Sequence, residues 1–294
     1  MKCKSNYLFG VLILLALVCA ALVKKPDSVY TGPIIDMHGH IEFNPIIAKK
    51  SFSLPPTPGN LIKYAKKAKL TKMSVIVMAK KGQPNKTKKL NNRLLQFTRK
   101  NPAFFPICSV HPGDGLQALK EMERLSKQGV KVLKLHPNTQ RFDVGGKEVA
   151  QLAKKAAKLK MVLLFDSYSP FDANQTGKFL KLAMMNPKTK FILAHAGGPK
   201  FLEFIVFHIL KKYPWYPNNI WFDLSITAEL FVDSPYRKHF LWVSRKLGAD
   251  RLLFGSDFPI STPQKAIQSM LKLGFTKTEL KKIFYQNAKS LLKL

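Results

Sequence analysis

Pro33-Ile34-Ile35-Asp36-Met37-His38-Gly39-His40 is the stretch that decides the fold and hints at the chemistry. Its apolar residues read as a buried strand, and that strand ends in two histidines one residue apart. Residues i and i+2 of a strand point to the same side, so the rings of His38 and His40 project together at its carboxyl end. Two neutral imidazoles that converge in this way supply half of a metal site.

Outward from this stretch the same pattern recurs. Apolar strand segments at 34–40, 73–79, 104–110, 130–135, 161–165, 190–194, 220–222 and 251–254 alternate with helical segments at 59–70, 86–100, 116–128, 148–159, 177–185, 201–213, 236–247, 263–273 and 276–294. The loop after the first strand, with Phe43, Phe52 and Pro55-Pro56, is too rich in proline to predict helix. Continuous apolar strands separated by amphipathic helices imply a parallel sheet covered by helices. Eight repeats fit a (β/α)8 TIM barrel, an α/β fold that typically needs about 250 residues. No Gly-x-Gly-x-x-Gly follows an early strand, which argues against a dinucleotide-binding open sheet. With no internal repeat or linker after residue 33, residues 33–294 read as one domain.

Residues 1–25 stand apart. Lys2 and Lys4 precede an apolar run at 7–23, which Lys24-Lys25-Pro26 follows. A basic start, an apolar middle and small residues at Ala20 and Ala21 form a secretory signal pattern. At 17 residues the run also approaches the length of a membrane span. The expectation is therefore export to the periplasm or outside the cell, with the segment cleaved or kept as a membrane anchor. Cys3 and Cys19 lie in this segment, so Cys108 alone remains in the barrel and no disulfide forms there. Cys108 sits in an apolar strand and reads as a packing residue.

The formal net charge is +32. Such a charge suits nucleic acid or an anionic membrane, yet arginine, the better phosphate reader, occurs at only seven positions. The lysines spread along helices and read as solvated outer faces, so nucleic acid is not the expected partner. A small-molecule substrate is.

In a barrel the chemistry sits at the carboxyl ends of the strands. Those ends carry His38 and His40, His111, His136, Asp166, His195, Asp223 and Asp257, whereas His208 and His239 fall within helices. Among the loop residues, Arg141 is placed to pair with a substrate carboxylate, and Tyr168 is placed to line a pocket. His111, His136 and Asp223 complete the candidate substrate-binding set.

The markers Ile35-Asp36-Met37-His38-Gly39-His40, Lys134-Leu135-His136-Pro137, His195-Ala196-Gly197-Gly198, Phe254-Gly255-Ser256-Asp257-Phe258-Pro259 and Asn287-Ala288-Lys289-Ser290-Leu291-Leu292 together resemble the amidohydrolase superfamily. The similarity is to its amidohydrolase-related branch, which includes aminocarboxymuconate-semialdehyde decarboxylase. The resemblance implies one divalent metal, zinc or manganese, held by His38, His40 and Asp257. It also implies that His195 binds substrate or water and stabilises developing charge. A Lewis acid with an open position lowers the pKa of its water towards ~7, and Asp257 could take that proton. Relatives usually supply a further histidine from strand five, where this chain has Asp166; a carboxylate could replace it as a ligand. The TatD-type nucleases share the barrel and the His-x-His but carry a bridging glutamate where this chain has Lys134-Leu135-His136. The expected activity is metal-dependent hydrolysis of a C–N or C–O bond in a small molecule, with Asp257 and His195 catalytic. The alternatives are non-oxidative decarboxylation of an aromatic or unsaturated acid, or a metal-free binding or lactonase-like barrel.

Overall fold

The computed structural model describes residues 30–294. The signal or anchor reading of 1–25 falls outside the described residues, and among the described ones no helix is long and apolar enough to cross a membrane. Eight strands form a single sheet in sequence order: β1 (Ile35–Asp36), β2 (Lys72–Ile76), β3 (Phe104–Ser109), β4 (Val132–Leu135), β5 (Val162–Asp166), β6 (Lys190–Ala194), β7 (Ile220–Asp223) and β8 (Leu252–Leu253). Every neighbouring pair is parallel. The sheet curls until its ends meet: the Met37 amide donates to the Phe254 carbonyl at 2.9 Å and the His40 amide to that of Phe258 at 2.7 Å. This is the expected barrel.

Around it lie α1 (Pro45–Ser51), α2 (Pro58–Lys67), α3 (Pro84–Lys100), α4 (Leu116–Lys127), α5 (Pro137–Gln140), α6 (Lys147–Leu159), α7 (Gln175–Met185), α8 (Ile205–Leu210), α9 (Thr227–Val232), α10 (Arg237–Leu247), α11 (Pro263–Lys272), α12 (Lys277–Lys281) and α13 (Asn287–Leu292). Helix α1 corrects the reading of the first loop as free of helix. Asn44 caps it, accepting from the amides of Ile46 and Ile47, and Pro45 takes the first position, where no amide is needed. The segment at 201–213 is shorter than expected as α-helix, because His195–Phe204 first winds through tight turns around Gly197 and Gly198.

Strand alternation divides the core in two. Leu163, Phe165, Leu133 and Leu135 face the helices, while Val162, Leu164, Val132 and Ile192 fill the barrel. Ala288, Leu291 and Leu292 of α13 join this inner cluster and plug the barrel's amino end. At the carboxyl end the same inward register points Lys134 and Asp166 toward the mouth. Gly255 allows the close approach of β8 to its neighbours there: a Cβ on it would lie 2.7 Å from His38 Cβ, after β1, and 2.6 Å from Asp223 Oδ1, at the end of β7.

Candidate active site and metal centre

His38 is fully buried, and its Nδ1 lies 2.6 Å from Asp223 Oδ2. The Ser225 hydroxyl stands 3.2 Å from the same nitrogen and 3.1 Å from His195 Nδ1. Burial first, and then the nearby Lys134 charge, hold His38 well below the ordinary histidine pKa. Its proton therefore belongs on Nδ1, toward Asp223, which leaves Nε2 unprotonated, facing Lys134 Nζ and Asp257 Oδ1. A carboxylate behind a histidine fixes the tautomer and orientation of a metal ligand in this way.

Asp257 closes the front of the site. Its Oδ1 lies 3.3 Å from His38 Nε2 and 3.2 Å from His40 Nε2. Burial would raise its pKa, but the His38 and His40 interactions outweigh that and hold it well below the carboxylate range. The two histidines thus converge on one carboxylate oxygen, as the strand register predicts. The donor atoms of His38, His195 and Asp257 all lie within 4.8 Å of one another, which fits a single cation. This set includes His195, a residue the sequence assigned to substrate, and His40 flanks it through Asp257.

Asp166 stands outside that group. Its Oδ2 lies 3.2 Å from His195 Nε2 and 3.5 Å from His136 Nε2. Burial opposes charge on both partners, but the Asp166–His195 hydrogen bond prevails, lifting His195 to about 9 and holding Asp166 below its usual range. Burial takes His136 down to about 4. Asp166, at the end of β5, therefore faces two neighbouring histidines. Lys134, 1% exposed, puts its Nζ 3.2 Å from His38 Nε2. Burial lowers its pKa against the opposing pull of Asp166, Asp257 and Asp223.

The backbone is strained here. His195 (φ 63°), Ile226 (φ 60°) and Asp257 (φ 57°) are non-glycine residues in left-handed conformations. Each costs about 1–3 kcal/mol, which persists only where the surrounding structure over-determines it. All three border a cavity of about 440 Å³ walled by Tyr168, Pro170, Pro199, Leu230 and Ile260. A second lobe of about 430 Å³ extends over His38, His40 and Lys134 to Phe52, Lys80 and Leu90. The two lobes share His136, Asp166, His195 and Asp257.

Three expected substrate contacts are corrected. Asp223 is buried behind His38 and cannot reach a substrate. His111 spends both ring nitrogens on structure, Nε2 on the Gln140 carbonyl at 2.6 Å and Nδ1 on the Gly113 amide at 2.9 Å. It borders a separate cavity between α3 and α4. Arg141 is an exposed left-handed cap of α5 and lines neither lobe. His136 and Tyr168 do line the cavity. Ser225 and the wall residues Ile226, Leu230 and Ile260 escaped the sequence reading. Ser225 follows Asp223 at the i+2 spacing that could have revealed it, whereas scattered apolar residues in loops give no signal.

The amidohydrolase family matches residues 35–294, so the chain belongs to that family. No sequence match was found among curated proteins. Solved structures share the fold. A 2,6-dihydroxybenzoate decarboxylase from Rhizobium is 15% identical, covering 90% of this chain and 99% of that one, with a TM-score of 0.69. A dihydroxybenzoic acid decarboxylase from Polaromonas, with bound manganese and 2-nitroresorcinol, is 15% identical over 90% of this chain and 98% of that one, TM-score 0.70. A 5-carboxyvanillate decarboxylase from Novosphingobium aromaticivorans, also with manganese, is 14% identical over 91% of this chain and 100% of that one, TM-score 0.69.

Proposed function

We propose that the protein is a metal-dependent, non-oxidative decarboxylase of an aromatic or unsaturated carboxylic acid. The observation that carries this reading is the apolar wall beside the histidine–aspartate cluster, which suits a flat ring held against a few convergent polar groups. The fold relatives act on ring carboxylates, which supports the same choice.

The residues present fit a divalent ion. His38 and Asp257 would hold it, with His40 and His195 beside them. Two imidazoles and a carboxylate suit zinc or manganese, and manganese is the ion in two of the fold relatives. When bound, such an ion supplies Lewis-acid polarisation of the substrate's carboxylate or neighbouring oxygen. The chain's own residues do the rest. Asp223 and Ser225 orient His38, and Lys134 and Lys80 offer cations to substrate oxygens in the second lobe. In the reaction the ring–carboxylate C–C bond breaks and carbon dioxide leaves. The electron pair left on the ring carbon takes a proton from His195, whose Nε2 lies 3.2 Å from Asp166 Oδ2, and solvent restores that proton.

Hydrolysis of a C–N or C–O bond is the second reading, favoured by the position of Asp257, whose carboxylate lies within 3.3 Å of two imidazoles and borders both lobes of the cavity, where an attacking water would sit. Manganese- or zinc-loaded full chain incubated with hydroxylated benzoates should release carbon dioxide. Release of amine or acid from amides or lactones, with no carbon dioxide from any ring acid, would transfer the assignment to hydrolysis. Export through residues 1–25 belongs to the same proposal; N-terminal sequencing of the protein from its native envelope tests whether the segment is cleaved.

A further inference from the structure

The two ends of the barrel carry opposite kinds of surface. Loops at the carboxyl end mix charges and include Glu42, Asp114, Asp143, Asp172 and Asp233. The amino end, where each helix returns to the next strand, holds exposed Lys100 and Lys127 in helix last turns, Lys160, Lys188 and Lys212 in loops, and Lys190 at the start of β6. Asp250 in these loops and Glu279 beside them already face arginines: Asp250 Oδ2 lies 3.6 Å from Arg251 Nε, and Glu279 Oε1 lies 2.9 Å from Arg245 Nε. Helix dipoles explain lysines in last turns. They do not explain Lys188, Lys190 and Lys212, which lie beyond the helices.

The same end carries exposed aromatic and thioether side chains. Trp215 is 57% exposed and Met185 70% exposed. Tyr213 stacks on Trp215 with ring centroids 5.1 Å apart, and Lys212 lies over Tyr213 at 5.0 Å. The two loops that hold them are tied together: the Asn219 amide donates to the carbonyls of Ala183, Asn186 and Thr189 at 3.3, 3.0 and 2.7 Å. Lysines around half-exposed Trp and Tyr match the headgroup layer of a bilayer, where amphipathic rings settle and basic side chains meet anionic lipid. The chain also enters the barrel at this end, at Tyr30, a few residues after the apolar run 7–23 and Lys24-Lys25.

We propose that the amino-terminal face of the barrel docks on an anionic lipid bilayer, with Trp215 and Tyr213 at headgroup depth and the active-site mouth turned to the aqueous side. This gives the excess of lysine a role and does not depend on the reaction assigned above. The test uses the full chain with vesicles of brominated lipid, which quenches tryptophan on contact. Vesicles with about 30 mol % anionic phosphatidylglycerol are compared with phosphatidylcholine alone, and the Trp215 signal is the difference between the parent and Trp215→Phe. That signal should fall roughly two-fold or more in anionic vesicles only. It should recover between about 0.1 M and about 1 M NaCl, as the Debye length shrinks from ~10 to ~3 Å. Lys188→Glu/Lys190→Glu/Lys212→Glu should abolish the quenching while leaving metal content unchanged. The salt series on the unaltered chain decides the matter if that variant fails to fold. Equal quenching in neutral vesicles, or none in either, overturns the proposal. Protection of Trp215 by duplex DNA in place of vesicles would assign the face to nucleic acid and overturn it too.

Discussion

The carboxyl and amino ends of this barrel are built on opposite economies of polar groups. At the carboxyl end Asp166, Asp223, Asp257 and Lys134 are buried around four histidines, on a backbone that includes left-handed His195, Ile226 and Asp257. At the amino end Leu291 and Leu292 fill the barrel, and the Asn287 amide satisfies the carbonyls of Ala249 and Leu252 at 2.7 Å each. Burying charge and strain costs stability, and satisfying polar groups under an apolar plug restores it. The lesson is a division of labour: the amino end supplies stability that the carboxyl end consumes, as barrel enzymes generally arrange it.

The strongest way to break this comparison is Asp257→Asn. It removes the oxygen shared by His38 and His40, so metal content should vanish and turnover should fall about 10³-fold or more. Melting temperature should hold or rise, because a strained, charged position has been relieved. Turnover within ten-fold of the parent would remove Asp257 from the chemistry. Leu291→Ala is the converse probe. It should cost about 2–4 kcal/mol in denaturant unfolding, the usual range for a buried leucine, with kcat unchanged where the protein stays folded. A matching loss of kcat would show that the ends are not separable.

Asp223→Asn sharpens the boundary within the carboxyl end. The amide keeps the size but no longer holds the His38 proton on Nδ1, so metal affinity should drop about 10–100-fold. Titration against a competing chelator reads this directly, and an unchanged affinity would make Asp223 mere packing.

How far the sequence reaches follows the same boundary. Strand ends placed His38, His40, His195 and Asp257 at the barrel mouth together with His111, His136, Asp166 and Asp223, and the resemblance to the amidohydrolase superfamily singled out the first four. Strand position could not separate Asp223, which stands behind a ligand, from Asp166, which faces the cavity, since both end an apolar strand. His111 misled for a local reason: the Gly113 amide and the Gln140 carbonyl consume its ring, and the second of these comes from α5, distant in sequence. Helix α1 was hidden because Pro55-Pro56, which follow it, were read as excluding helix from the whole loop, whereas Pro45 starts it; the apolar wall was hidden by the irregular loops that carry it.

Asp36 joins the two economies at the β1–β8 seam. Its Oδ1 accepts from the amides of His38 and Ser256, while Oδ2 is buried without a partner. Burial chiefly raises its pKa to about 7. The folded state thus binds this proton more tightly than the unfolded chain does, so its stabilising contribution is full below pH ~4 and lost as pH rises through ~7. Asp36→Asn should match the parent near pH 4–5 and exceed it by about 1 kcal/mol at pH 8. Parallel pH–stability curves for the two proteins would remove Asp36 as the source of the slope.

The smallest effect belongs to Arg141, and it separates position in sequence from position in the site. Arg141 follows strand four as a pocket residue would, yet it adopts φ 55°, ψ 59° as the cap of α5. Its amide bonds to the Asn138 carbonyl at 3.2 Å, and the next amide, Phe142, to that of Pro137 at 3.0 Å. A left-handed cap is a backbone role that glycine fills with less strain. Arg141→Gly should therefore leave kcat/KM within about two-fold and stability within about 0.5 kcal/mol, with any change upward. A ten-fold rise in KM for a carboxylate substrate, with kcat intact, would instead show the side chain folding over the mouth to meet it.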